Sequence, residues 1–504
     1  MGTVSLAIQR IVLFLVKALR FIHTLFSTDT RLHRARFSRL DELGTLLCST
    51  PEGTGLLLGM KHARQLLLVR PVQTRRELGN LLVVGPTRSG KGLLATSQLL
   101  SWKHSVIVND IKGELFTATA GYRASLGDVY VIDPTGIGHR FDPLQGKHTE
   151  DEFFSVAMHL LFKPDEGEGQ IFTQRATVML TQLFLAARLE GIAPIPYARL
   201  LIRKGLTDAA ARLQDIDPLL STQFLDVNFA DANLTDRFLL SSWGTLTARM
   251  RPLLTETVVR CFTHSDFDTG ALLRRNRPTT VYLRWPERDL LALSPLVRLL
   301  WGTLTDELLS TYDRQEGRGC QPVLLLIDEA GRTAIPTLAD HATTVVGRGI
   351  SLWIAIQSLS QLETVYGKAR SLVLRDNMES QIYYRPTDLA TAKYLEERLG
   401  THSAYARSTT LRDGEETSEG LSERGIPLLT AQEILQLPDE EIIGFHRHLP
   451  PFRMHRTDWQ GHKLLLQRRG IPPPILPKLH PVADIPTETL PFPEEDQDID
   501  DLLN

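Results

Sequence analysis

Short apolar runs rich in β-branched residues recur along the middle of the chain, at 81–85, 105–110, 128–133, 279–285, 322–330, 350–357, 381–384 and 441–445. Their apolar positions are continuous rather than alternating, as in strands buried on both faces. Stretches with helical spacing join them. The pattern predicts an α/β fold with a mainly parallel sheet. Between about 149 and 265 the strand-like runs stop. Thr149-Glu150-Asp151-Glu152 has the spacing of a capping box. Helices are predicted over 152–162, 171–190, 197–204 and 206–215, with a break at Pro194 and Pro196. This region reads as an all-α insertion in the α/β domain.

The ends follow other rules. Residues 4–26 predict one helix, with Arg10, Lys17 and Arg20 sharing an arc with most of its other polar residues. Four arginines follow within 31–39. An amphipathic helix ahead of a polybasic stretch suits the surface of an anionic membrane. Its charges argue against a spanning helix, and packing on its own domain is the alternative. After about Gly470 the chain turns proline-rich and then acidic, which predicts a flexible tail.

Length and charge sharpen this outline. The 504 residues exceed one ordinary domain. No stretch of about 18 uncharged apolar residues exists, which excludes a multi-span membrane protein. Three widely spaced cysteines (Cys48, Cys261, Cys320) exclude a disulfide framework. The net charge of -3 hides a basic front, with twelve Lys/Arg against five Asp/Glu in residues 1–80, and a tail with eight acids and no base in 484–504. Two ends of opposite sign point to different partners.

The candidate chemistry begins at 85–92, GPTRSGKG. Gly85, Pro86, Thr87, Arg88, Ser89, Gly90, Lys91 and Gly92 follow an apolar strand and precede a helical run, the setting of a phosphate-binding loop. Backbone N–H groups in such a loop cradle phosphate oxygens, and Lys91 reaches the β- and γ-phosphates of ATP. Gly92 stands where Ser or Thr usually supplies a hydroxyl to Mg²⁺. Water, Thr87 or Ser89 is left to fill that place. The second half of the site is Asp328-Glu329, ending the strand 322–330. Asp328 is expected to hold Mg²⁺ through water, and Glu329 to orient and deprotonate the attacking water. Gln357, ending the next strand, is a candidate γ-phosphate contact. Arg348 is the candidate arginine finger, supplied by a neighbouring subunit, with Arg332 as its rival.

Seven blocks together carry a family resemblance: 85–92, 108–123, 131–136 with 141–144, 265–273, 325–332, 345–367 and 426–438. In this order the chain resembles the type IV secretion coupling proteins of the TraG type, the conjugative DNA-transfer ATPases. The likeness runs from about residue 53 to about 451. It implies a RecA-like P-loop domain with an inserted all-α domain, a hexameric ring, and ATP-driven movement of single-stranded DNA or of a relaxase–DNA complex into a secretion channel. It carries Lys91, Asp328, Glu329, Gln357 and Arg348 to matching positions. It also matches Asp110–Glu114 (DIKGE), in which Lys112 and Glu114 either pair across the subunit interface or cap the turn after the strand.

The expected division is 1–40 as a basic N-terminal segment, 41–148 and 266–470 as the two parts of the motor domain, 149–265 as the insertion and 471–504 as the tail. The expected location is the cytoplasmic face of the bacterial inner membrane, through peripheral contact, with the cytoplasm as the alternative. A DNA translocase of the FtsK or HerA kind and a non-hydrolysing scaffold are the other readings. Arg249 and Arg251 near Trp243, and the basic cluster 274–277, are the nucleic-acid candidates, each with a solvated helix face as the plainer explanation.

Overall fold

The computed structural model describes residues 33–44, 46–48, 55–62, 65–69, 77–161, 169–274, 277–287, 290–332, 335, 337–412 and 415–479. The helix expected over 4–26, Arg31 and the acidic tail from 480 lie outside them. The strands, in chain order, are β1 (Leu47–Cys48), β2 (Leu56–His62), β3 (Gln65–Val69), β4 (Leu81–Val84), β5 (Ser105–Asp110), β6 (Asp128–Ile132), β7 (Thr279–Arg284), β8 (Val323–Ile327), β9 (Ile350–Ile356), β10 (Ser380–Tyr383), β11 (Thr401–Arg412), β12 (Glu415–Pro427), β13 (Glu441–His446) and β14 (Phe452–His455).

Twelve of these form one sheet, in the order β1-β3-β2-β14-β13-β10-β4-β9-β8-β5-β7-β6. From β10 to β6 every neighbouring pair is parallel. β4, β5, β8 and β9 are buried along their whole length, as their unbroken apolar runs require. β4 lies between β9 and β10, so the chain leaving it crosses two strands before entering β5. Crevices at the carboxyl ends of parallel strands, where such crossovers diverge, are where open α/β sheets bind ligands.

The remaining flank departs from the expectation. β13, read from sequence with the parallel strands, runs antiparallel to β10, and β14, β2, β3 and β1 continue antiparallel. β1, β2 and β3 were not predicted. Their leucines carry no strand preference, and Gly55 and Gly59 interrupt them; a Cβ at Gly55 would fall 2.6 Å from Leu68 Cγ.

Among the described residues, the chain between β6 and β7 contains helices and no named strand. They are Glu150–Leu161, Gln170–Leu189, Pro194–Lys204, Leu206–Ile216, Pro218–Leu225, Arg237–Met250 and Glu256–Arg260, with short 3₁₀ turns. The first is capped as the sequence implies: Thr149 N–H donates to Glu152 Oε2 at 3.0 Å and Glu152 N–H to Thr149 Oγ1 at 3.4 Å. The expected break falls at 190–193, and Pro194 and Pro196 open the helix that follows it. Both prolines occupy the first turn, where a missing N–H leaves no bond unmade. Helix 170–189 is the hub, with Met179, Leu180, Leu183 and Phe184 fully buried.

Residues 33–37 belong with 392–434 to a second, smaller unit. Its main element is the two-stranded hairpin β11–β12, paired from Thr401↔Pro427 to Arg412↔Glu415. Arg34 bridges to His402, Ala35 N–H donates to Thr401 O at 3.0 Å, and His33 N–H donates to Ser403 Oγ at 3.0 Å. The N-terminal residues thus add a short third strand to the hairpin base.

Candidate functional site

The loop after β4 turns through two left-handed residues, Arg88 (φ 66°) and Gly90 (φ 114°), before helix Lys91–Ser101 begins. Gly85 is required sterically: a Cβ there would lie 2.7 Å from Ser89 Oγ and 2.8 Å from Tyr384 Cβ. Lys91 is largely buried, and its ammonium donates to Gly85 O at 2.7 Å and Pro86 O at 2.9 Å. The loop therefore closes on its own lysine. Burial pushes the Lys91 pKa down, against the raising pull of Asp328 and Glu329.

At the end of β8, Asn109 Nδ2 donates to Asp328 O at 3.0 Å, and Glu329 N–H donates to Asp328 Oδ1 at 3.1 Å. Burial raises the Asp328 pKa to about 6, and neighbouring Glu329 adds to the shift. Glu329 sits at φ 55°. A left-handed non-glycine residue costs about 1–2 kcal/mol, and here it places the acid in the crevice. Glu329 Oε1 lies 3.8 Å from Lys112 Nζ, and its Oε2 accepts from Arg332 at 3.2 Å. Arg332 is anchored in turn by Glu287 at 2.5 Å.

The DIKGE turn has a structural account. Asp110 ends β5, and its carboxylate accepts from Leu115 N–H at 3.2 Å and Phe116 N–H at 2.7 Å, capping helix Glu114–Leu126. Burial still pushes its pKa up to about 6. Gly113 takes φ 72°, and a Cβ there would press on the Arg284 guanidinium at 3.0 Å. The cap is Asp110 rather than Lys112 or Glu114. Lys112 pairs within its own chain and Glu114 opens the helix.

These groups surround one cavity of about 720 Å³, lined by Thr87, Arg88, Gly90, Lys91 and Gly92, by Asp110, Lys112 and Glu114, and by Asp328 and Glu329. Its remaining wall was missed by sequence reasoning: Arg456, Trp459 and Arg469 come from the segment after β14. A Cβ at Gly90 would approach Arg456 Cδ at 3.2 Å. The Arg469 guanidinium lies over the Trp459 ring, 5.3 Å from its centroid. No motif announces these residues; only the antiparallel flank carries them back over the loop. Tyr384, directly after β10, donates its hydroxyl to Gly90 O at 3.3 Å.

Gln357 follows β9, beside the start of the loop, where Gly85 N–H donates to Ile356 O at 3.1 Å. It is not among the residues lining the cavity. Arg348 is not brought to the cavity either. It precedes β9, at the opposite end of the strand from Gln357. Its guanidinium is held by Asp313 through two bonds of 2.8 and 2.9 Å and donates to Thr344 O at 3.1 Å. Three of the basic candidates for nucleic acid have partners within the chain: Arg249 donates to Leu161 O, Arg274 pairs with Asp268 and Arg277 with Asp128, while Arg275 lies outside the described residues. Trp243 packs edge-on against Phe224.

The described residues hold no group of three metal-ligating side chains. The donor set nevertheless fits a Mg²⁺ bound mainly by phosphates and water. Asp328 supplies one buried carboxylate, and Ser89 Oγ is buried without a partner in the loop. A side chain at Gly92 would meet nothing within 4 Å. Crowding is therefore not what keeps a hydroxyl from that position.

Comparison with known proteins places this arrangement. The chain is 26% identical over 420 residues to the protein VirD4 of Rhizobium radiobacter, covering 78% of this chain and 58% of that protein. It is 27% identical over 404 residues to the conjugal transfer protein TraG of Escherichia coli, covering 71% and 62%. The chain thus spans about three fifths of the length of these relatives. Its fold is similar to the bacterial conjugative coupling protein TrwBΔN70 (TM-score 0.64, 17% identity, covering 85% of this chain and 94% of that one). It is equally similar to TrwB solved in complex with ADP and Mg²⁺ (TM-score 0.63, 17% identity, 86% and 96%). The family model for type IV secretory system conjugative DNA transfer matches residues 61–472. With its α/β P-loop fold and inserted helices, the chain belongs to the type IV secretory system conjugative DNA-transfer family.

Proposed function

We propose that this chain is an ATP-driven coupling protein, a P-loop ATPase that passes DNA or a relaxase–DNA complex to a type IV secretion channel. It works as a homo-hexamer at the cytoplasmic face of the bacterial inner membrane. The observation that carries this reading is the convergence of Lys91, Asp328 and Glu329 on one cavity at the carboxyl ends of parallel strands. TrwB, which shares the fold, has been solved with ADP and Mg²⁺.

In this reading the loop 85–92 binds the phosphates through backbone N–H groups, and Lys91 exchanges its two loop carbonyls for phosphate oxygens. Asp328 would hold a bound Mg²⁺ through water, with Thr87 or Ser89 as the candidate hydroxyl, and the ion would neutralise charge on the phosphates. Glu329 orients the attacking water and takes its proton. The ring of Trp459 gives the nucleobase a stacking face. Arg348, remote from its own cavity, serves that of a neighbour.

Steady-state hydrolysis with and without single-stranded DNA tests the reading. DNA should stimulate hydrolysis by the unmodified chain, and Glu329→Gln should lower turnover by roughly a hundredfold or more, the range of a positioned general base. A background indifferent to both DNA and Glu329→Gln counts against an ATP-driven motor and for a scaffold.

A further inference from the structure

The DIKGE block contains one residue that neither the fold nor the proposed chemistry uses. Asp110 caps a helix and Gly113 makes the turn against Arg284. Both fix the backbone on either side of Lys112. That leaves the Lys112 side chain, 39% exposed, free to swing on a rigid base into the nucleotide cavity.

Lys112 faces Glu329, Nζ to Oε1 3.8 Å. The other oxygen of the same carboxylate is held by Arg332 at 3.2 Å. Each oxygen of the proposed general base thus faces a cation, Arg332 by a hydrogen bond and Lys112 at ion-pair distance, which lowers its basicity toward water. The Lys112–Glu329 contact is long and partly exposed, so it is a weak pair. Lys91, the neighbouring cation, is already committed to two carbonyls of its loop. Of the two lysines in the cavity, Lys112 is therefore the mobile one, and a terminal phosphate, carrying more charge than one carboxylate, competes for it successfully.

We propose that Lys112 senses the γ-phosphate: it leaves Glu329 for the terminal phosphate of a bound nucleoside triphosphate, and loss of the facing cation makes Glu329 a stronger base toward water. This rests on the nucleotide-hydrolysing reading given above. The diphosphate lacks the terminal group, so Lys112 stays beside Glu329 and the base stays weak.

The test is binding rather than turnover. The affinities of the full chain for ADP and for a non-hydrolysable ATP analogue are measured by calorimetry, with Mg²⁺ present. Lys112→Met should weaken the analogue by about tenfold, the worth of one charge-assisted hydrogen bond. ADP should change less than about twofold, and Lys112→Arg should keep the analogue's advantage over ADP. Glu329→Gln removes the competing anion, so it should tighten the analogue in the Lys112 protein and have no such effect beside Lys112→Met. Equal weakening of both nucleotides by Lys112→Met, or simple additivity of the two substitutions, overturns the proposal. If the unmodified chain binds neither nucleotide, the reading of the cavity fails and this inference with it. If it binds both and Lys112→Met does not distinguish them, only the inference fails. An unchanged thermal midpoint excludes a folding defect as the cause.

Discussion

Gly92 stands where most phosphate loops carry a hydroxyl residue. The space beside Gly92 is open and Ser89 Oγ is buried without a partner. Gly92→Ser should therefore fold normally and lower the Mg²⁺ concentration for half-maximal hydrolysis, while Ser89→Ala should raise it; a Mg²⁺ titration of turnover reads both. Asp110 carries a second prediction. Its ordinary pKa is 3.8 and burial lifts it to about 6 in the fold. Between those values the unfolded chain has lost the proton and the folded chain keeps it. Its contribution to stability is thus fully present below about pH 4 and lost as pH rises through 6. Asp110→Asn loses a cap bond at every pH but escapes that loss. Urea unfolding should show the substitution costing more at pH 5 than at pH 8.

At the scale of elements, what was legible and what was not follow one physical line. β4, β5, β8 and β9 announce themselves because a strand buried on both faces admits little but apolar residues. The loop 85–92 and the pair Asp328-Glu329 were legible because their chemistry constrains contiguous residues. Lys112 was named in a motif yet stayed without a role, since its partner Glu329 is 217 positions away in the chain and only the β5–β8 pairing brings them together. The hairpin β11–β12 was invisible because 401–427 is largely polar and lacks a clear apolar–polar alternation. Arg456, Trp459 and Arg469 were missed because they follow β14, on the flank whose antiparallel direction the sequence did not give away. Trp459 is where that flank meets function. Trp459→Ala should weaken ATP about tenfold, since base–aromatic stacking is worth about 1–3 kcal/mol, and should leave inorganic triphosphate unaffected; competition of both ligands against a fluorescent nucleotide separates the two effects.

For the whole molecule, the placement of Arg348 is the informative fact. Asp313 holds it at the end of β9 opposite Gln357. A residue that completes a neighbour's site leaves its own nucleotide binding intact when removed. On the proposed role as a neighbour's arginine finger, Arg348→Ala should bind ATP as the unmodified chain does and yet hydrolyse it at least about a thousandfold more slowly. Mixing it with Lys91→Ala, itself inactive, should restore part of the activity, because mixed rings contain some sites with both residues intact. No recovery on mixing would place the defect inside one subunit.

The short strand at 33–35 also sets a timetable. His33 and its partner Ser403 are 370 positions apart. At typical synthesis rates of about 5–20 residues per second, about 20–70 s separate their emergence from the ribosome. Throughout that interval the first segment has no hairpin to join, while everything upstream of it is already outside the tunnel. Whatever the leading residues meet, they meet it before their own unit can close.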